Sequence, residues 1–407
     1  MKNADGKNSW LASSCGFMAA VGLCFLAPCS GRAAAEPRGS VRTSSPTATQ
    51  VIVQPKFGGQ ILGYTVDPNG TEGLLSESLA EGTQGQNLVA TEIFDQVTGA
   101  IVAVVAAENH TVNDFDTQEI NAPNLGLVLF QQAGQNRFLT LNPLADHKFN
   151  GTWTPTVMSG HGISEISVAQ GSEVAVLEAD LNAGSAFVFS SNVAENTFGP
   201  PTSLASIISV DEFLVNPQIA FDSATNQAVL ADSHDCPEPG PQCATSIALV
   251  DLATGEISEF NDSLGVGQLN GLAVDPVKGI AVTTTLIDQG VEFYNLTTKK
   301  GLEVIIPNSG SEIQSGNDVE FDPIHKVFLV SQYTSTGNPN NPQPRIYVYN
   351  EAGKILETVA LQQNIGIGAR IALNPKTRTG FVPVVVEPQG LFLKLQSFIY
   401  KYINVLL

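Results

Sequence analysis

The hydrophobic positions of the chain fall into many short runs, and most of these runs end in Asp or Asn. The residue is often followed by Pro, then by two to four turn residues and a second β-rich run. The clearest copies are 272–276 with 279–282 and 319–323 with 327–330. Because an Asp or Asn side chain can accept hydrogen bonds from the backbone of a turn, and Pro fixes the next φ, each copy predicts a β-hairpin.

These copies recur with a regular period. If the turn residue is taken as a marker, six copies stand at 95, 169, 222, 275, 322 and 374, with steps of 74, 53, 53, 47 and 52. A period near 50 with short strands is typical of a propeller blade. Third strands with Gly-containing turns follow at 247–255, 291–301 and 346–353, so two hairpins per period predict four-stranded blades. We interpret the long first step as one blade with an extended loop at 106–124.

The two ends of the chain predict how the ring closes. Residues 60–70 resemble a third strand and turn with no strands before them, and 371–386 supply a first and a second strand. Pairing strands from both termini would remove open sheet edges. We therefore expect an all-β, six-bladed β-propeller with four-stranded antiparallel blades, closed by N- and C-terminal strands. The strand-like run 391–403 leaves an alternative: it is the last blade's own third strand, the N-terminus adds only the outer strand, and the ring has seven blades.

The N-terminal segment has the pattern of an export signal. Lys2 and Lys7 precede an apolar stretch at 10–27, and Ala33-Ala34-Ala35 fits a cleavage site. The sequence predicts a signal peptide at 1–35, a flexible linker at 36–55 and a single propeller domain at 56–407. Lipoprotein anchoring at Cys29 is an alternative that Pro28 disfavours. The protein is expected to be secreted, either extracellular or periplasmic.

Composition and charge narrow the function. Only 14% of residues are charged, yet the formal net charge is −20. Such a surface repels phosphate backbones, which argues against general nucleic-acid binding. After the first 35 residues no run is long and apolar enough to predict a transmembrane helix.

Two cysteines remain after the predicted signal peptide. Cys236 and Cys243 flank a Pro-rich hexapeptide, so in an oxidising compartment we expect them to form a loop disulfide. A metal site with His234 is the alternative, but two thiols and one imidazole are few ligands for it.

The residues around two of the repeats resemble a known group of propellers. Asn270-Gly271 before 272–276, together with 318–323, are similar to the NHL, YVTN and SMP-30/gluconolactonase group, and the resemblance extends over about residues 60–390. That group includes calcium- or zinc-dependent lactonases, oxidoreductase-like sensors and secreted binding proteins. The resemblance thus implies the fold and a short list of functions.

The resemblance also implies where a metal ion would bind. Enzymatic members carry metal ligands at the inner start of each first strand, about five residues before the Asp-Pro. Asn270 and Asn317 occupy that position here, Asp318 follows, and Glu165 is a candidate in a shifted register, with Glu92 as its alternative. Oxygen ligands of this kind suit Ca²⁺, which would polarise a lactone carbonyl or activate water. His161 is the candidate general base.

A structural role is the alternative for the two asparagines, since Asn commonly caps the loop before a strand.

The sequence is consistent with two main functions from different classes. The first is an exported binding protein or scaffold that presents a site for a protein, glycan or small-molecule ligand at one rim of the central channel. The alternative is a calcium-dependent lactonase or esterase similar to SMP-30 and gluconolactonase. A third interpretation is a structural scaffold of an envelope or matrix.

Overall fold

A computed structural model describes the chain from residue 51 onwards, with gaps. The described residues are 51–57, 60–67, 70–82, 86–108, 119–122, 125–130, 138–142, 151–153, 162–168, 173–180, 185–192, 195, 197–205, 218–222, 224–234, 244–262, 269–285, 290–305, 315–333, 345–360, 365–367, 371–377, 379–386 and 396–403. The predicted signal peptide, Cys29, His161, Cys236 and Cys243 lie outside these ranges, so the roles assigned to them remain predictions.

The described residues contain thirty strands in seven antiparallel sheets and no helix. Strand β1 (Val51–Val53) belongs to a closing sheet that is completed at the C-terminus. Sheet 1 contains β2 (Gln60–Val66), β3 (Glu72–Gly82), β4 (Gln86–Asp95) and β5 (Ile101–Glu108). Sheet 2 contains β6 (Glu119–Ala122), β7 (Leu125–Phe130), β8 (Phe138–Asn142) and β9 (Gly151–Trp153). Sheet 3 contains β10 (Gly162–Val168), β11 (Glu173–Asp180), β12 (Ser185–Asn192), β13 (Thr197–Phe198) and β14 (Thr202–Ser203).

The second half of the chain forms the remaining sheets. Sheet 4 contains β15 (Gln218–Asp222), β16 (Gln227–His234), β17 (Ala244–Asp251) and β18 (Ile257–Asp262). Sheet 5 contains β19 (Leu269–Asp275), β20 (Ile280–Thr285), β21 (Gly290–Asn295) and β22 (Lys300–Ile305). Sheet 6 contains β23 (Ser315–Asp322), β24 (Val327–Tyr333), β25 (Arg345–Asn350) and β26 (Ile355–Ala360). The closing sheet adds β27 (Ile365–Ile367), β28 (Ala372–Asn374), β29 (Thr379–Val386) and β30 (Gln396–Ile403) to β1.

The fold is an all-β propeller with four-stranded antiparallel blades, as predicted. Within the described residues, the first strands of successive sheets contact one another around a ring, from β2 through β6, β10, β15, β19 and β23 to β28, which contacts β2. The predicted number of six blades is wrong. Five sheets have the regular four strands; sheet 3 and the closing sheet each carry a short fifth strand. The alternative prediction of seven blades matches the number of sheets, but only five of those sheets are regular four-stranded blades.

Two errors in the assignment of strands explain the wrong number. The run 93–95 with 100–104, interpreted as a first hairpin, is the third and fourth strand of sheet 1. The interval 106–124, interpreted as an extended loop, contains β6 of an additional sheet. Sheet 2 was missed because its first hairpin, formed by β6 and β7, was not recognised as a copy of the repeat.

The Asp turns have the geometry that the sequence predicts. Asp275 Oδ1 accepts hydrogen bonds from Val277 N at 2.9 Å and Lys278 N at 3.2 Å. The same pattern occurs at Asp95, Asp222, Asp251 and Asp322. The turns at one edge of the ring, which we call the turn edge, are therefore fastened by side-chain caps. The opposite edge, where the first strands begin and the second strands end, is called the start edge.

The core lies in layers between neighbouring sheets. Between sheets 5 and 6, Phe293 packs edge-on against Phe328 with ring centroids 5.6 Å apart, and Tyr349 joins them. Between the closing sheet and sheet 1, Phe94 packs against Phe381 at 5.5 Å. Sheets 4 and 5 thus bury apolar side chains on both faces, which explains the near-continuous apolar runs in this part of the sequence.

The closing sheet joins the two ends of the described chain. β1 pairs antiparallel with β30, and Ile52 lies opposite Tyr400. Residues 51–53, assigned to the end of the flexible linker, are therefore a strand, and residues 60–66 are the first strand of sheet 1 rather than a third strand. Both corrections follow from one fact: the run 391–403 contains the last sheet's own third strand, so the N-terminus supplies only its outer strand.

A buried polar network fastens the closing sheet to sheet 1 at the turn edge. The Asn374 side chain is fully buried, and its Nδ2 lies 3.0 Å from Asp67 O, 3.0 Å from Gly70 O and 2.8 Å from Gln96 Oε1. Gln96 Nε2 in turn donates to Asp67 O at 3.0 Å and to Glu72 O. One amide side chain therefore satisfies acceptors that lie far apart in sequence.

In the part of the chain that the structure describes, no helix has the length and apolar character needed to cross a membrane.

Candidate functional site at the start edge

Four first strands carry a β-bulge at the same point near the start edge. In β19, Leu269 lies opposite Thr285 and Gly271 opposite Thr284, so Asn270 is the extra residue. In β23 the pairing skips Asn317 in the same way. The bulge falls at Ser164 in β10 and at Leu62 in β2. A bulge leaves one residue outside the ladder and re-aims the neighbouring side chains, which is a common arrangement next to binding sites.

The predicted metal-ligand positions coincide with these bulges. Asn270 and Asn317 are the bulged residues of neighbouring sheets, and Glu165 and Asp318 each follow a bulged residue directly. The four predicted residues therefore occupy two equivalent backbone positions on three first strands. The bulged residue stands five residues before the turn Asp in β19 and β23, so counting from the turn finds its position. Nothing in the sequence predicts that this position is a bulge.

Asp318 has an observed structural role. Its side chain is 8% exposed, and its Oδ2 accepts a hydrogen bond from the backbone N of Ile371 at 2.6 Å. A Cβ on Gly271 would lie 2.9 Å from Asp318 Oδ1, so sheet 5 approaches this carboxylate closely. Ser167 makes a similar link, since its Oγ accepts from Phe221 N at 3.0 Å. Asp318 thus connects sheet 6 to the closing sheet, which accounts for its burial.

Among the described side chains, no three His, Cys, Asp or Glu residues lie close enough together to hold a metal ion. The structure gives the strand positions of Asn270, Asn317 and Glu165, so their role as ligands remains a prediction.

A second pair of acidic residues was not predicted. Glu77 on β3 and Glu92 on β4 are fully buried. Glu77 Oε1 accepts a hydrogen bond from Phe57 N at 2.9 Å, and Glu92 Oε2 accepts one from Lys56 N at 3.0 Å. For Glu92 the available sequence signal was a charged residue next to the apolar pair Ile93-Phe94, which is rare in a buried strand unless the charge has a partner. Glu77 lies between Ser76 and Ser78 and gave no such signal.

The pKa of Glu92 is raised to about 7. Burial is the main cause, because desolvation disfavours the charged form. The hydrogen bond from Lys56 N lowers the pKa, whereas the charge of Glu77 and a hydrogen bond with its carboxyl group raise it.

Sheet 5 contains a buried glutamate at the equivalent position with a different partner. Glu92 and Glu292 each stand three residues before the Asp or Asn that ends the third strand, Asp95 and Asn295. Glu292 Oε2 accepts a hydrogen bond from the Tyr294 hydroxyl. In sheet 1 the residue equivalent to Tyr294 is Phe94, which has no donor, and Glu92 binds the backbone of residue 56 instead.

Comparison with known proteins supports the fold alone. No protein-family model and no curated protein matches the chain, so the resemblance to the NHL, YVTN and SMP-30 group is not confirmed. A chain in a structure described as the crystal structure of the mitotic checkpoint complex is similar, with a TM-score of 0.53 and 12% identity over 94% of this chain and 99% of that chain. The structure of U3-55K has a TM-score of 0.58 and 10% identity over 88% of this chain and 100% of that chain. The RRP9 WD40 repeats have a TM-score of 0.58 and 11% identity over 89% of this chain and 99% of that chain.

Proposed function

We propose that the chain is an exported binding propeller that presents a site at the start edge to a partner protein, glycan or small ligand. The observation that carries this proposal is the β-bulge repeated at one register in four first strands. Because a bulge weakens the ladder locally, its recurrence at one edge indicates a requirement at that edge rather than one of folding alone. The basic start and apolar stretch of residues 1–35 support export.

The lengths of the connections also favour the start edge. At the start edge, 11 residues of sequence separate the end of β24 from the beginning of β25, and nine separate β16 from β17. At the turn edge the corresponding connections are short, as in 323–326 between β23 and β24. Binding residues in proteins concentrate on longer loops held by a rigid scaffold. A chain of similar fold occurs in a structure described as the mitotic checkpoint complex, which supports a protein partner among the candidates.

A double variant tests the location of the site. Asn270→Ala with Asn317→Ala alters the start edge of sheets 5 and 6. Val277→Ser with Ile324→Ser alters the turn edge of the same sheets, at side chains that are 76% and 58% exposed, and serves as the matched control. Partners captured from culture fluid by the immobilised chain are identified and purified, and their affinities for the three proteins are measured by calorimetry.

We expect the start-edge variant to bind the purified partner at least about tenfold more weakly, a loss of about 1.4 kcal/mol, and the turn-edge variant to bind normally. The opposite pattern would place the site at the turn edge and refute the proposal.

The second candidate function is the calcium-dependent lactonase or esterase. It is favoured by the equivalent positions of Asn270 and Asn317 on adjacent strands, with Asp318 and Glu165 beside the bulges. These oxygen ligands would hold Ca²⁺, which would polarise a lactone carbonyl.

Thermal unfolding with calcium and with EDTA tests this candidate. Calcium at a hundred times its Kd would stabilise the fold by about 2.7 kcal/mol, so the midpoint should rise by several degrees and Asn270→Ala should abolish the rise. An identical midpoint in calcium and in EDTA would contradict the calcium-dependent hydrolase while leaving the binding proposal intact.

A further inference from the structure

Glu77 and Glu92 lie on one face of sheet 1. Glu77 is opposite Ala90, and Leu75 is opposite Glu92, so the two glutamates are diagonal neighbours on adjacent strands. Diagonal side chains on one face of an antiparallel pair are within reach of each other when they are long. Leu75 and Phe94, on the same face, pack against the closing sheet.

The two carboxyl groups hold the segment that links the closing sheet to sheet 1. Residues 54–59 connect β1 to β2, and we call them the connector. The backbone N–H groups of Lys56 and Phe57 donate to Glu92 and Glu77, respectively. Phe57 is half-exposed, and the Lys56 ammonium group lies 5.7 Å from the centre of its ring. Two consecutive backbone N–H groups of the connector are thus bound by these two carboxyl groups.

One oxygen of the pair lacks a donor. Glu92 Oε2 accepts from Lys56 N, but Glu92 Oε1 is buried and has no hydrogen-bond partner within the described part of the chain. A proton on Glu92 would turn this carboxyl group into a donor towards Glu77 and remove one of two adjacent negative charges. Among the described residues, the charged groups that act on Glu92 are Glu77 and Lys56, while the closing sheet contributes apolar groups such as Phe381.

We propose that Glu77 and Glu92 form a proton-dependent clasp that holds the connector against sheet 1 and releases it, together with β1, when the shared proton is lost. A single proton therefore controls how firmly the outer strand of the closing sheet is attached. Glu77 lies opposite Ile61, beside the bulge at Leu62, so the clasp adjoins the start edge of sheet 1, but its argument does not depend on the proposed function.

The direction of the pH effect follows from linkage. The Lys56 N–H bond alone favours the charged form, but burial and Glu77 outweigh it, so the pKa of Glu92 in the folded chain, about 7, is above its ordinary value of 4.5, which applies once release exposes the group to water. The stabilisation from the protonated clasp is therefore complete below pH 4.5, decreases as the pH rises between these two values, and is lost above pH 7. Each unit of difference in pKa corresponds to about a tenfold change in the opening equilibrium.

Cleavage by trypsin after Lys56 measures this opening. Lys56 is exposed, but its peptide bond to Phe57 is held by the clasp, so cleavage requires local release. The full chain is digested between pH 5.5 and 8.5, the Lys56–Phe57 cut is identified by mass spectrometry, and its rate is divided by trypsin's rate on a small peptide at each pH. We expect the normalised rate of the natural chain to rise roughly tenfold or more across this range.

Glu92→Gln keeps the shape of the side chain but cannot titrate, so its normalised rate should stay constant with pH. Glu292→Gln changes the equivalent buried glutamate of sheet 5 and should leave the rise unchanged. Circular dichroism establishes that each variant is folded, and Glu77→Gln replaces Glu92→Gln if the latter is not. A flat profile for the natural chain, or the same rise in Glu92→Gln, would overturn the proposal.

Discussion

Substitution of Asn374 by Asp tests whether the polar network at the closing sheet holds the ring together. The change keeps the shape and the Oδ1 acceptor, which accepts from Thr377 N at 3.1 Å. It replaces the Nδ2 donor by an anionic oxygen that faces Asp67 O, Gly70 O and Gln96 Oε1. A buried charge without compensation costs about 3–5 kcal/mol.

Loss of the donor alone gives a smaller effect. Asn374→Ala leaves Gly70 O and Gln96 Oε1 without the Asn374 donor, at about 1–3 kcal/mol for each. Asp67 O keeps the bond from Gln96 Nε2. Either loss is a large part of the 5–15 kcal/mol that stabilises a typical fold. We therefore expect both variants to unfold at clearly lower urea concentration, with the aspartate variant the less stable at neutral pH.

The assay is equilibrium urea unfolding followed by circular dichroism, with Asn350→Asp as the matched control. Asn350 also caps a turn, with its Oδ1 accepting from Ala352 N at 3.1 Å and Lys354 N at 2.8 Å, but it is only partly buried. Acid should restore part of the stability of Asn374→Asp, because a protonated carboxyl group is again a donor. Equal midpoints for Asn374→Asp and Asn350→Asp would refute the idea that this network fastens the ring.

Two further predictions concern single blades. Gly73→Ala should destabilise the fold by about 1–3 kcal/mol, because a Cβ there would lie 2.3 Å from Cζ of Phe94, and Phe94→Leu should recover part of the loss in the same urea assay. Lys278→His should stabilise sheet 5 by about 0.5–1.5 kcal/mol. Asp275 Oδ2 is buried and has no hydrogen-bond partner in the described residues. In sheet 6 the residue equivalent to Lys278 is His325, whose Nδ1 lies 2.7 Å from Asp322 Oδ2. An unchanged thermal midpoint in Lys278→His would show that the imidazole does not reach that oxygen.

The features that could be predicted from the sequence are those with local causes. Asp275 and Asp322 cap the backbone of their own turns, so the residues that cause the hairpin lie within it. The same local chemistry led to a wrong strand assignment at Asp95, because third-strand turns use the same cap as first-strand turns. Sheet 2 was not recognised as a copy of the repeat, and without it the predicted ring had six blades.

Only the sequence positions of the site residues could be predicted, and not the backbone geometry around them. Asn270 and Asn317 were found by counting from the turn, but their bulges depend on how β19 and β23 pair with the following strands. The Glu77 and Glu92 pair could not be found, since it depends on register across two strands and on a connector that reaches them from another sheet. Contacts of this kind are set by tertiary structure rather than by local sequence.

The pairing of β1 with β30 sets the order of events during synthesis. The partner of residues 51–53 is residues 399–401, which are synthesised long after them. Most of the sheets can form as their own hairpins emerge, since their pairings are local, but the outermost strand at the N-terminus must wait for the C-terminal one. Until then an apolar sheet edge is open to pairing with other chains. Chains stalled or truncated before residue 396 are therefore the ones that most need a chaperone, and nascent-chain crosslinking should detect one bound to them until the final strand is released.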